Sequence, residues 1–363
     1  MHAVMNNAPA STTTEALANH CHRVSCTSQR YFGDFSTCRH RGGDKYPVCM
    51  SSFPIKPFRF GVQAHRANSR SEWVELAKRA EGNGYAVLTM PDHFNDQLAP
   101  VPALMTIADA TTNLRIGALV WDNDYKHPLV LAKELTTMDL LSDGRLEIGL
   151  GAGWMASDYE EAGMPYDSPK VRIDRFVEGL AVIKGLMQEG PLNFTGEHYK
   201  ITNHDGLPKP VQRPYPPVLI GGGGKRVLTI AAREADIIGI NGTMTAGVVG
   251  PEAISTMTAE AVTEKCAIVH AAAGARLADI EMNIRAFFVK VTDTPDFTFS
   301  NLAGILSVDE SMVRESPFAL IGTVDDIVER LIARREEFGF SYVIVGGEDI
   351  DSFAPVVAAL SGK

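Results

Sequence analysis

The chain has 363 residues and a formal net charge of -10, with 45% hydrophobic and 21% charged residues. This composition is ordinary for a globular protein that buries a sizeable core. No run of lysine and arginine is long enough to neutralise a phosphate backbone, so nucleic-acid binding is not expected. The longest apolar runs fall far short of the roughly 20 residues of a membrane-spanning helix, so no membrane segment is predicted.

Four of the five cysteines lie near the start of the chain, at Cys21, Cys26, Cys38 and Cys49. Their spacing lacks the paired C-x-x-C pattern of zinc sites, so no metal is predicted. No apolar segment typical of a secretory signal opens the chain. We expect residues 1–56 to be a polar, disordered extension, with Met50 as an alternative start, and residues 57–363 to form a reduced, cytoplasmic domain.

From Phe58 onward, short apolar runs alternate with segments of helical period, which is typical of repeated strand–helix units. The runs are nearly continuous in hydrophobicity, as expected for parallel strands inside a closed barrel. Eight such units fit in about 250 residues, so the sequence predicts one (β/α)8 TIM barrel. The eight predicted strands occupy residues 58–64, 86–90, 114–121, 146–151, 217–221, 236–241, 284–291 and 341–346.

Signals at the helix ends fit this assignment. Pro128 stands where a first-turn proline belongs, and Thr323 with Asp326 forms a predicted capping box at the start of the last long helix. Two connections are too long for simple loops: residues 190–216 after the fourth helix and residues 242–252 after the sixth strand. We expect these insertions to hold substrate, because long connections in such folds commonly do.

The clearest local motif is the run GGGGKR at residues 221–226, between the fifth strand and a helical stripe. Consecutive glycines let backbone N–H groups approach an oxyanion, and a helix N-terminus adds partial positive charge. Lys225 or Arg226 would add a full charge. The alternative is a flexible turn, but a short turn rarely needs four glycines and two cations, so phosphate binding is predicted.

The segment GAGWMA at residues 151–156 fits the loose dinucleotide-binding pattern after a strand. That pattern requires a helix to start at its last position, whereas residues 157–170 contain one glycine and two prolines and show no apolar period. A Rossmann site is therefore not predicted. Instead, we expect these glycines to bring the end of the fourth strand close to a flat ring, with Trp154 at the mouth of the site.

The pair Asp92 and His93 follows the second strand, at the end where barrel enzymes carry catalytic groups. Histidine moves protons at neutral pH, so His93 is the acid–base candidate. The alternative is that Asp92 caps the next segment and His93 is a buried hydrogen-bonding residue. His127 is read as a helix-start residue, and Asp122 and Asp124 as turn residues, because the other ligands of a metal site are missing.

Together these segments resemble the luciferase-like monooxygenase superfamily, in particular its branch that uses the deazaflavin coenzyme F420. The resemblance runs from Phe58 to Leu360. It is carried by FRFGVQ in the first strand, MPDHF at the second, LRIGALVWDNDYKHPLVLAKELTTMDLLSDGRLEIGLGAGW across units three and four, PVLIGGGGKRVLTIAAREADIIGIN across five and six, and the closing IGTVDDIVERLIARREEFGFSYVIVG.

The resemblance implies a cofactor site at the carboxyl ends of the strands. Asp92 and His93 would lie beside the isoalloxazine-like ring, with His93 steering or shuttling the proton during hydride transfer at C5 of the deazaflavin. Ala118 and Leu119 would lie in a bulged third strand, often with a non-proline cis peptide. The other implied cofactor-binding residues are Trp121, Gly153, Gly222, Gly223, Gly224, Lys225 and Arg226.

Substrate contacts are implied for Trp154 and Phe94, at an apolar mouth. The sugar-phosphate dehydrogenase branch of the family places an acidic residue directly after the Gly-x-Gly of strand four, where this chain has Trp154. That substrate is therefore not expected here. Asp158 or Glu160 could take the acid role instead, although no spacing argument selects either one.

The function implied by the resemblance is an F420-dependent oxidoreductase, which exchanges two electrons with a small organic substrate without oxygen. An FMN-dependent monooxygenase that needs a flavin reductase partner shares the same fold. A third possibility is a barrel that binds the cofactor without catalysis. The resemblance to the family also implies a homodimer.

Overall fold

The computed structural model of the chain describes residues 53–244, 247–248 and 250–363. Its centre is a sheet of parallel strands whose apolar side chains are buried almost without interruption. All residues of the strands Leu146–Gly151 and Phe340–Gly346, for example, are buried. The barrel strands are β1 Arg59–Gln63, β2 Val87–Met90, β3 Arg115–Ala118, β4 Trp121–Asp122, β5 Leu146–Gly151, β8 Val218–Gly222, β9 Ile237–Ile240, β10 Glu281–Arg285 and β13 Phe340–Gly346.

The sheet closes on itself. The strand order is β3-β2-β1-β13-β10-β9-β8-β5-β4, and β3 also pairs with β5 through Ile116 and Leu146. β3 and β4 are two halves of one barrel position, so eight positions form the closed ring. The predicted (β/α)8 TIM barrel is confirmed, since every pairing in this ring is parallel.

Helices follow the strands and cover the outside of the barrel. The capping box predicted at Thr323 and Asp326 is present, and Gly339 ends the same helix with φ +77°. Within the described ranges, no helix has the length and apolarity needed to cross a membrane. The main helices are α1 Arg70–Gly82, α2 Pro100–Ala110, α3 Pro128–Leu141, α5 Pro169–Met187, α6 Lys225–Glu234, α8 Ala259–Ala273, α11 Val324–Phe338 and α12 Ala354–Leu360.

The packed part of the chain includes residues just before the predicted start of the barrel domain. Phe53 is buried at 4% exposure and packs on the barrel core. Lys56 donates a hydrogen bond from Nζ to the carbonyl of Asp279. The predictions made for residues 1–52, including the cysteine cluster and the alternative start at Met50, lie outside the described residues.

The third and seventh strands differ from the prediction. The third is interrupted by a cis peptide between Leu119 and Val120, which separates β3 from β4. The predicted seventh strand, 284–291, merged two strands of different sheets. The barrel strand is β10 and ends at Arg285, whereas β11 Phe288–Val291 pairs with β12 Ala319–Gly322 in a separate two-stranded sheet. An apolar run by itself does not reveal that the chain has left the barrel.

The predicted insertions have different roles. Residues 190–216 contain an antiparallel hairpin of β6 Pro191–Thr195 and β7 Lys200–Asp205. This insertion precedes β8, at the amino end of that strand, and lines no part of the cavity described below. The expectation that it holds substrate is therefore wrong. The segment after β9 does reach the cavity, and the remaining helices are α4 Ala156–Glu161, α7 Pro251–Ser255, α9 Pro295–Leu306 and α10 Glu310–Glu315.

A charged network fills the amino end of the barrel. Glu147, which is 6% exposed, accepts hydrogen bonds from Arg59 at 2.5 Å and from Arg115 at 2.9 Å. The Arg59 guanidinium also pairs with Glu281 and lies 3.6 Å from the ring centroid of Tyr342. Because these buried charges are paired, they can stay in the interior, and their side chains fill this end of the barrel. Ligand access is left to the carboxyl end.

Candidate active site

A cavity of about 410 Å³ lies at the carboxyl ends of the barrel strands. Residues at the ends of six strand positions contribute to its wall, together with the loops that follow them. The lining includes Gln63, Pro91, Asp92, His93, Leu119, Val120, Asp122, Gly151, Ala152, Gly153, Trp154, Arg172, Gly221, Gly222, Gly223, Gly224, Val227, Asn241, Gly242, Thr243, Met244, Asn283, Arg285 and Phe287.

His93 forms a hydrogen bond with a carboxylate that was not predicted to be its partner. Its Nδ1 atom lies 2.6 Å from Oδ2 of Asp158, whose side chain is 3% exposed. A carboxylate oxygen accepts hydrogen bonds, so this contact assigns the ring proton to Nδ1. Nε2 has no partner among the described residues, and His93 lines the cavity.

The loop after β5 brings Asp158 to this position. Gly153 has φ +73°, a conformation that favours glycine, and a Cβ there would overlap the Tyr159 hydroxyl and lie 2.6 Å from Oδ2 of Asp122. The chain turns there and enters α4, whose first turn carries Asp158. The sequence predicted no helix over 157–170, and this was wrong for α4, whose six residues are too few to show an apolar period.

Aromatic side chains surround the His93–Asp158 pair. The Tyr125 hydroxyl donates to the same Asp158 oxygen at 2.7 Å. Burial and this hydrogen bond raise the pKa of Tyr125 well above its ordinary value, so the phenol keeps its proton. The Trp154 ring lies edge-on to the His93 ring, with centroids 5.7 Å apart. The imidazole is therefore held from two sides.

A second group of carboxylates lies beneath the loop. Burial raises the pKa of Asp122 to about 7, and burial also raises the pKa of Asp124. The Tyr159 hydroxyl lies 3.2 Å from Asp122 and 3.1 Å from Asp124, and Arg175 lies 3.6 Å from Asp124. Asp122 was read from sequence as a turn residue, and its Oδ1 does accept the backbone N–H of Asp124. It is also buried and lines the cavity.

Asp92 joins two neighbouring strands. Its Oδ2 atom accepts a hydrogen bond from the backbone N–H of Asp122 at 3.2 Å, and burial raises its pKa. It therefore fixes the end of β2 against β4 and places His93 beside it. The alternative, that Asp92 caps the following segment, does not hold, because its carboxylate accepts from Asp122 of the neighbouring strand. His127, in contrast, caps α3 as expected.

The cis peptide between Leu119 and Val120 lies on the wall of the cavity. Gln63 holds it through a hydrogen bond from Nε2 to the Leu119 carbonyl at 3.1 Å. Both peptide residues line the cavity. The bulged third strand implied by the resemblance is thus present in this structure.

The glycine run forms another part of the wall. Gly222, Gly223 and Gly224 line the cavity, and α6 begins directly after them. A Cβ on Gly223 would lie 2.5 Å from the carbonyl oxygens of Asn241 and Gly242, so this position has no room for a side chain. The N–H groups of the first turn of α6 have no acceptor within the helix, so they are available as donors, and phosphate binding here stays a prediction.

Five residues predicted to bind cofactor or substrate lie away from the cavity. Lys225 and Arg226 are the first two residues of α6 and are exposed, and Arg226 pairs with Asp174. Neither residue is among those that line the cavity. Ala118 and Trp121 are buried in the barrel at 3% and 1% exposure. Phe94 is 49% exposed and packs on Tyr125.

Several residues of the cavity wall were missed by the sequence reasoning. Gln63 and Arg285 end barrel strands, which is the position that carries function in this fold, and that rule could have found them. Arg285 was missed because the predicted seventh strand ran past it. Arg172, near the start of α5, also lines the cavity and was not predicted. Tyr125, which does not line the cavity but contacts Asp158, was not predicted either. Asp158 was named only as one of two possible acids, without a spacing argument. Among the residues described, no group of three or more histidine, cysteine or acidic side chains is arranged to hold a metal ion.

Comparison with known proteins finds relatives with two kinds of cofactor in their names. An FMNH(2)-dependent dimethylsulfone monooxygenase of Pseudomonas fluorescens is 24% identical over 84% of this chain and 93% of the relative. An F420-dependent glucose-6-phosphate dehydrogenase of Amycolatopsis mediterranei is 31% identical, over 45% of this chain and 51% of the relative. The chain thus spans about half the length of some curated relatives that it matches.

The fold matches solved structures as well. The coenzyme F420-dependent tetrahydromethanopterin reductase of Methanopyrus kandleri superposes with a TM-score of 0.67 at 18% identity, over 84% of this chain and all of that one. The sequence model of the family described as luciferase-like monooxygenase matches residues 50–342. Relatives in this family are oxidoreductases and monooxygenases. On this match, the chain belongs to the luciferase-like monooxygenase family.

Proposed function

We propose that this protein is an F420-dependent oxidoreductase in which His93 moves the proton that accompanies hydride transfer. The observation that carries the proposal is the His93–Asp158 contact of 2.6 Å on the wall of a cavity at the catalytic end of the barrel. A histidine oriented by a carboxylate, with its second nitrogen open, is the arrangement that general acid–base catalysis requires.

The cavity fits a flavin-type cofactor in size and in wall chemistry. Its volume of about 410 Å³ is within the range of cofactor pockets. The glycine run gives a cradle that a Cβ on Gly223 would fill, next to the N–H groups that begin α6. The cis peptide at Leu119 and Val120 offers an apolar wall to a ring system. A phosphate-bearing, planar cofactor therefore matches both regions.

A bound deazaflavin would supply hydride transfer at C5. The chain itself supplies orientation and the proton. Nε2 of His93 gives a proton to the substrate heteroatom, or takes one from it, while Asp158 holds the proton on Nδ1. Tyr125 donates to the same Asp158 oxygen and so fixes that carboxylate. The ring of Trp154 packs edge-on against the imidazole and restricts its movement.

The second candidate is an FMN-dependent monooxygenase that works with a flavin reductase partner. It is favoured by the dimethylsulfone monooxygenase of Pseudomonas fluorescens, which aligns over 93% of its length. The same His93 and the same glycine run would serve FMN. Because both cofactors carry a ring and a phosphate, the shape of the cavity does not separate them.

The test is turnover under two conditions. The purified protein is incubated with F420 and a panel of alcohols, aldehydes and enones without oxygen, and separately with FMN, a flavin reductase and oxygen. The proposal predicts turnover in the first condition. It also predicts that His93→Ala loses most of that turnover, while His65→Ala, which changes an exposed histidine outside the cavity wall, does not.

Three results would contradict the proposal. Turnover only with FMN and oxygen would favour the monooxygenase. Turnover in neither condition, with cofactor still bound, would favour a barrel that only binds the cofactor. Unchanged F420-dependent turnover in His93→Ala would remove the role given to His93.

A further inference from the structure

Arg285 is a cation in the cavity wall that the proposed chemistry leaves unused. It is the last residue of β10, and its Nε donates to Oε1 of Gln63 at 3.0 Å. Its Nη1 donates to the Ala286 carbonyl. Nη2 has no acceptor among the described residues. The edge formed by Nη1 and Nη2 therefore keeps N–H groups available for a ligand.

This guanidinium is held in place before any ligand binds. Gln63 accepts from Arg285 and donates from Nε2 to the Leu119 carbonyl at 3.1 Å. The chain of hydrogen bonds runs from β10 through β1 to the cis peptide that follows β3. A side chain fixed in this way loses less conformational freedom on binding, which favours affinity.

Arg285 has no counterion in the described residues. Burial lowers its pKa, while Glu348 and Asp349 raise it through their charge, yet neither carboxylate lies within 4.0 Å of the guanidinium. A partly buried cation without an ion pair is unfavourable, and an anion placed against it would offset that cost. Arg285 is thus a cation of the cavity wall that no carboxylate of the described residues contacts directly.

The cavity has a second arginine, Arg172, which follows a different strand of the ring. Arg172 belongs to α5, between β5 and β8, and so lies on the side of the glycine run. Its guanidinium lies 4.1 Å from the Tyr166 ring centroid. Arg285 lies two strand positions beyond the glycine run, next to β13 and near β1. The phosphate of a cofactor on the glycine run therefore leaves Arg285 to another anion.

We propose that Arg285 binds the carboxylate of the substrate, so that the substrates of this enzyme are small organic acids. This inference rests on the proposed function, because it takes the glycine run as the cofactor's phosphate site. The acid would lie with its carboxylate on Arg285 and its reacting carbon towards His93. Phe287, whose ring centroid lies 5.3 Å from the Arg285 guanidinium, gives that end of the cavity an apolar surface.

The experiment separates cofactor binding from acid binding. First, the affinities of F420 and FMN are measured for the wild type, R285Q, R285K and the control R213Q, which removes an exposed cation at the other end of the barrel. Then benzoate and pyruvate, and their neutral amides benzamide and pyruvamide, are titrated into cofactor-saturated protein. The signal is the change in the visible absorption of the bound cofactor.

The proposal predicts that all four proteins bind cofactor equally. In the wild type and R213Q, at least one acid should bind about tenfold or more tightly than its amide. R285Q should lose that preference, and R285K should keep part of it. Because the acid–amide comparison in the wild type needs no variant, the proposal stays testable even if R285Q folds poorly.

Other results would overturn it. An equal response to acids and amides, no response to either acid, or an unchanged preference in R285Q would each show that Arg285 does not select an acid. Weaker cofactor binding in both R285Q and R285K would show that Arg285 serves the cofactor. Absence of cofactor binding in the wild type would instead contradict the proposed function.

Discussion

His93 and Asp158 are 65 residues apart in sequence, and their side chains lie 2.6 Å apart across the mouth of the barrel. The contact joins the end of β2 to the first turn of α4. It assigns the imidazole proton to Nδ1 and leaves Nε2 towards the cavity, which gives His93 a defined direction for proton transfer. Asp158 is thus a positioning residue for the proposed reaction.

Replacing Asp158 by Asn should reduce kcat by about 100-fold, because the amide no longer holds the imidazole in one tautomer. Cofactor affinity should change little, since Asp158 is not among the residues that line the cavity. Steady-state kinetics and a cofactor titration measure the two effects. Glu160→Gln, on the exposed face of the same helix, is the matched control and should behave as the wild type. An equal loss of kcat in both variants would remove the positioning role.

Gly153→Ala should destabilise the protein by about 3 kcal/mol or more, because both the positive φ and the contact with Tyr159 and Asp122 oppose a side chain. Gly163→Ala is the matched control. Gly163 has φ +65°, but a Cβ there meets nothing within 4 Å, so only the backbone cost of about 1 to 2 kcal/mol applies. Urea unfolding of both variants gives the two values. Equal losses would mean that the close approach at Gly153 does not constrain the loop.

Gly223→Ala should weaken cofactor binding strongly, because its Cβ would push the glycine run away from the carbonyls of Asn241 and Gly242. Gly224→Ala has open space at the same loop and should bind nearly as the wild type does. Arg226→Gln should also keep its affinity, since Arg226 pairs with Asp174 outside the cavity. A larger loss in Arg226→Gln than in Gly223→Ala would mean that the side-chain charge, not the backbone cradle, binds the phosphate.

Asp122→Asn should change the pH dependence of stability. The folded-state pKa of Asp122 is raised to about 7, above its ordinary value of 3.8, so the folded state retains a proton that the unfolded state loses between these values. The protonated Asp122 carboxyl therefore makes its full contribution to the free energy of unfolding below about pH 4, and this contribution is lost as pH rises through 7. At pH 8 the Asn variant should be more stable than the wild type by about 1 to 3 kcal/mol.

That difference should shrink towards pH 4, where the wild-type carboxyl is also neutral. Denaturant unfolding at several pH values measures it. The control Asp109→Asn changes an exposed carboxylate on α2 and should show little pH dependence. A pH-independent difference at Asp122 would contradict a raised pKa at this residue.

Most of the barrel could be predicted from the sequence, because its strands are continuous apolar runs separated by helices of regular period. The seventh strand shows the limit of this reasoning. The run 284–291 is mainly apolar, with Arg285 and Lys290 as exceptions, although the chain leaves the barrel after Arg285 and starts β11 in another sheet. The hydrophobicity of a segment indicates that it is buried, but it does not indicate to which sheet the segment belongs.

Residues of the candidate site were predicted only where a sequence motif indicates the local backbone structure. His93 closely follows the end of β2 and the glycine run precedes a helix, so both were found. Asp158 depends on a turn at Gly153 and on a six-residue helix, and neither leaves a pattern. Lys225 was misplaced for a related reason: the first turn of a helix directs its N–H groups, rather than its side chains, towards a ligand.

A direct titration tests whether the cavity holds F420. Purified protein is mixed with F420 and, separately, with FMN, and binding is followed through the fluorescence of each cofactor. We expect micromolar or tighter binding of F420, weakened by Gly223→Ala, and clearly weaker binding of FMN. Micromolar binding of FMN without binding of F420 would contradict it.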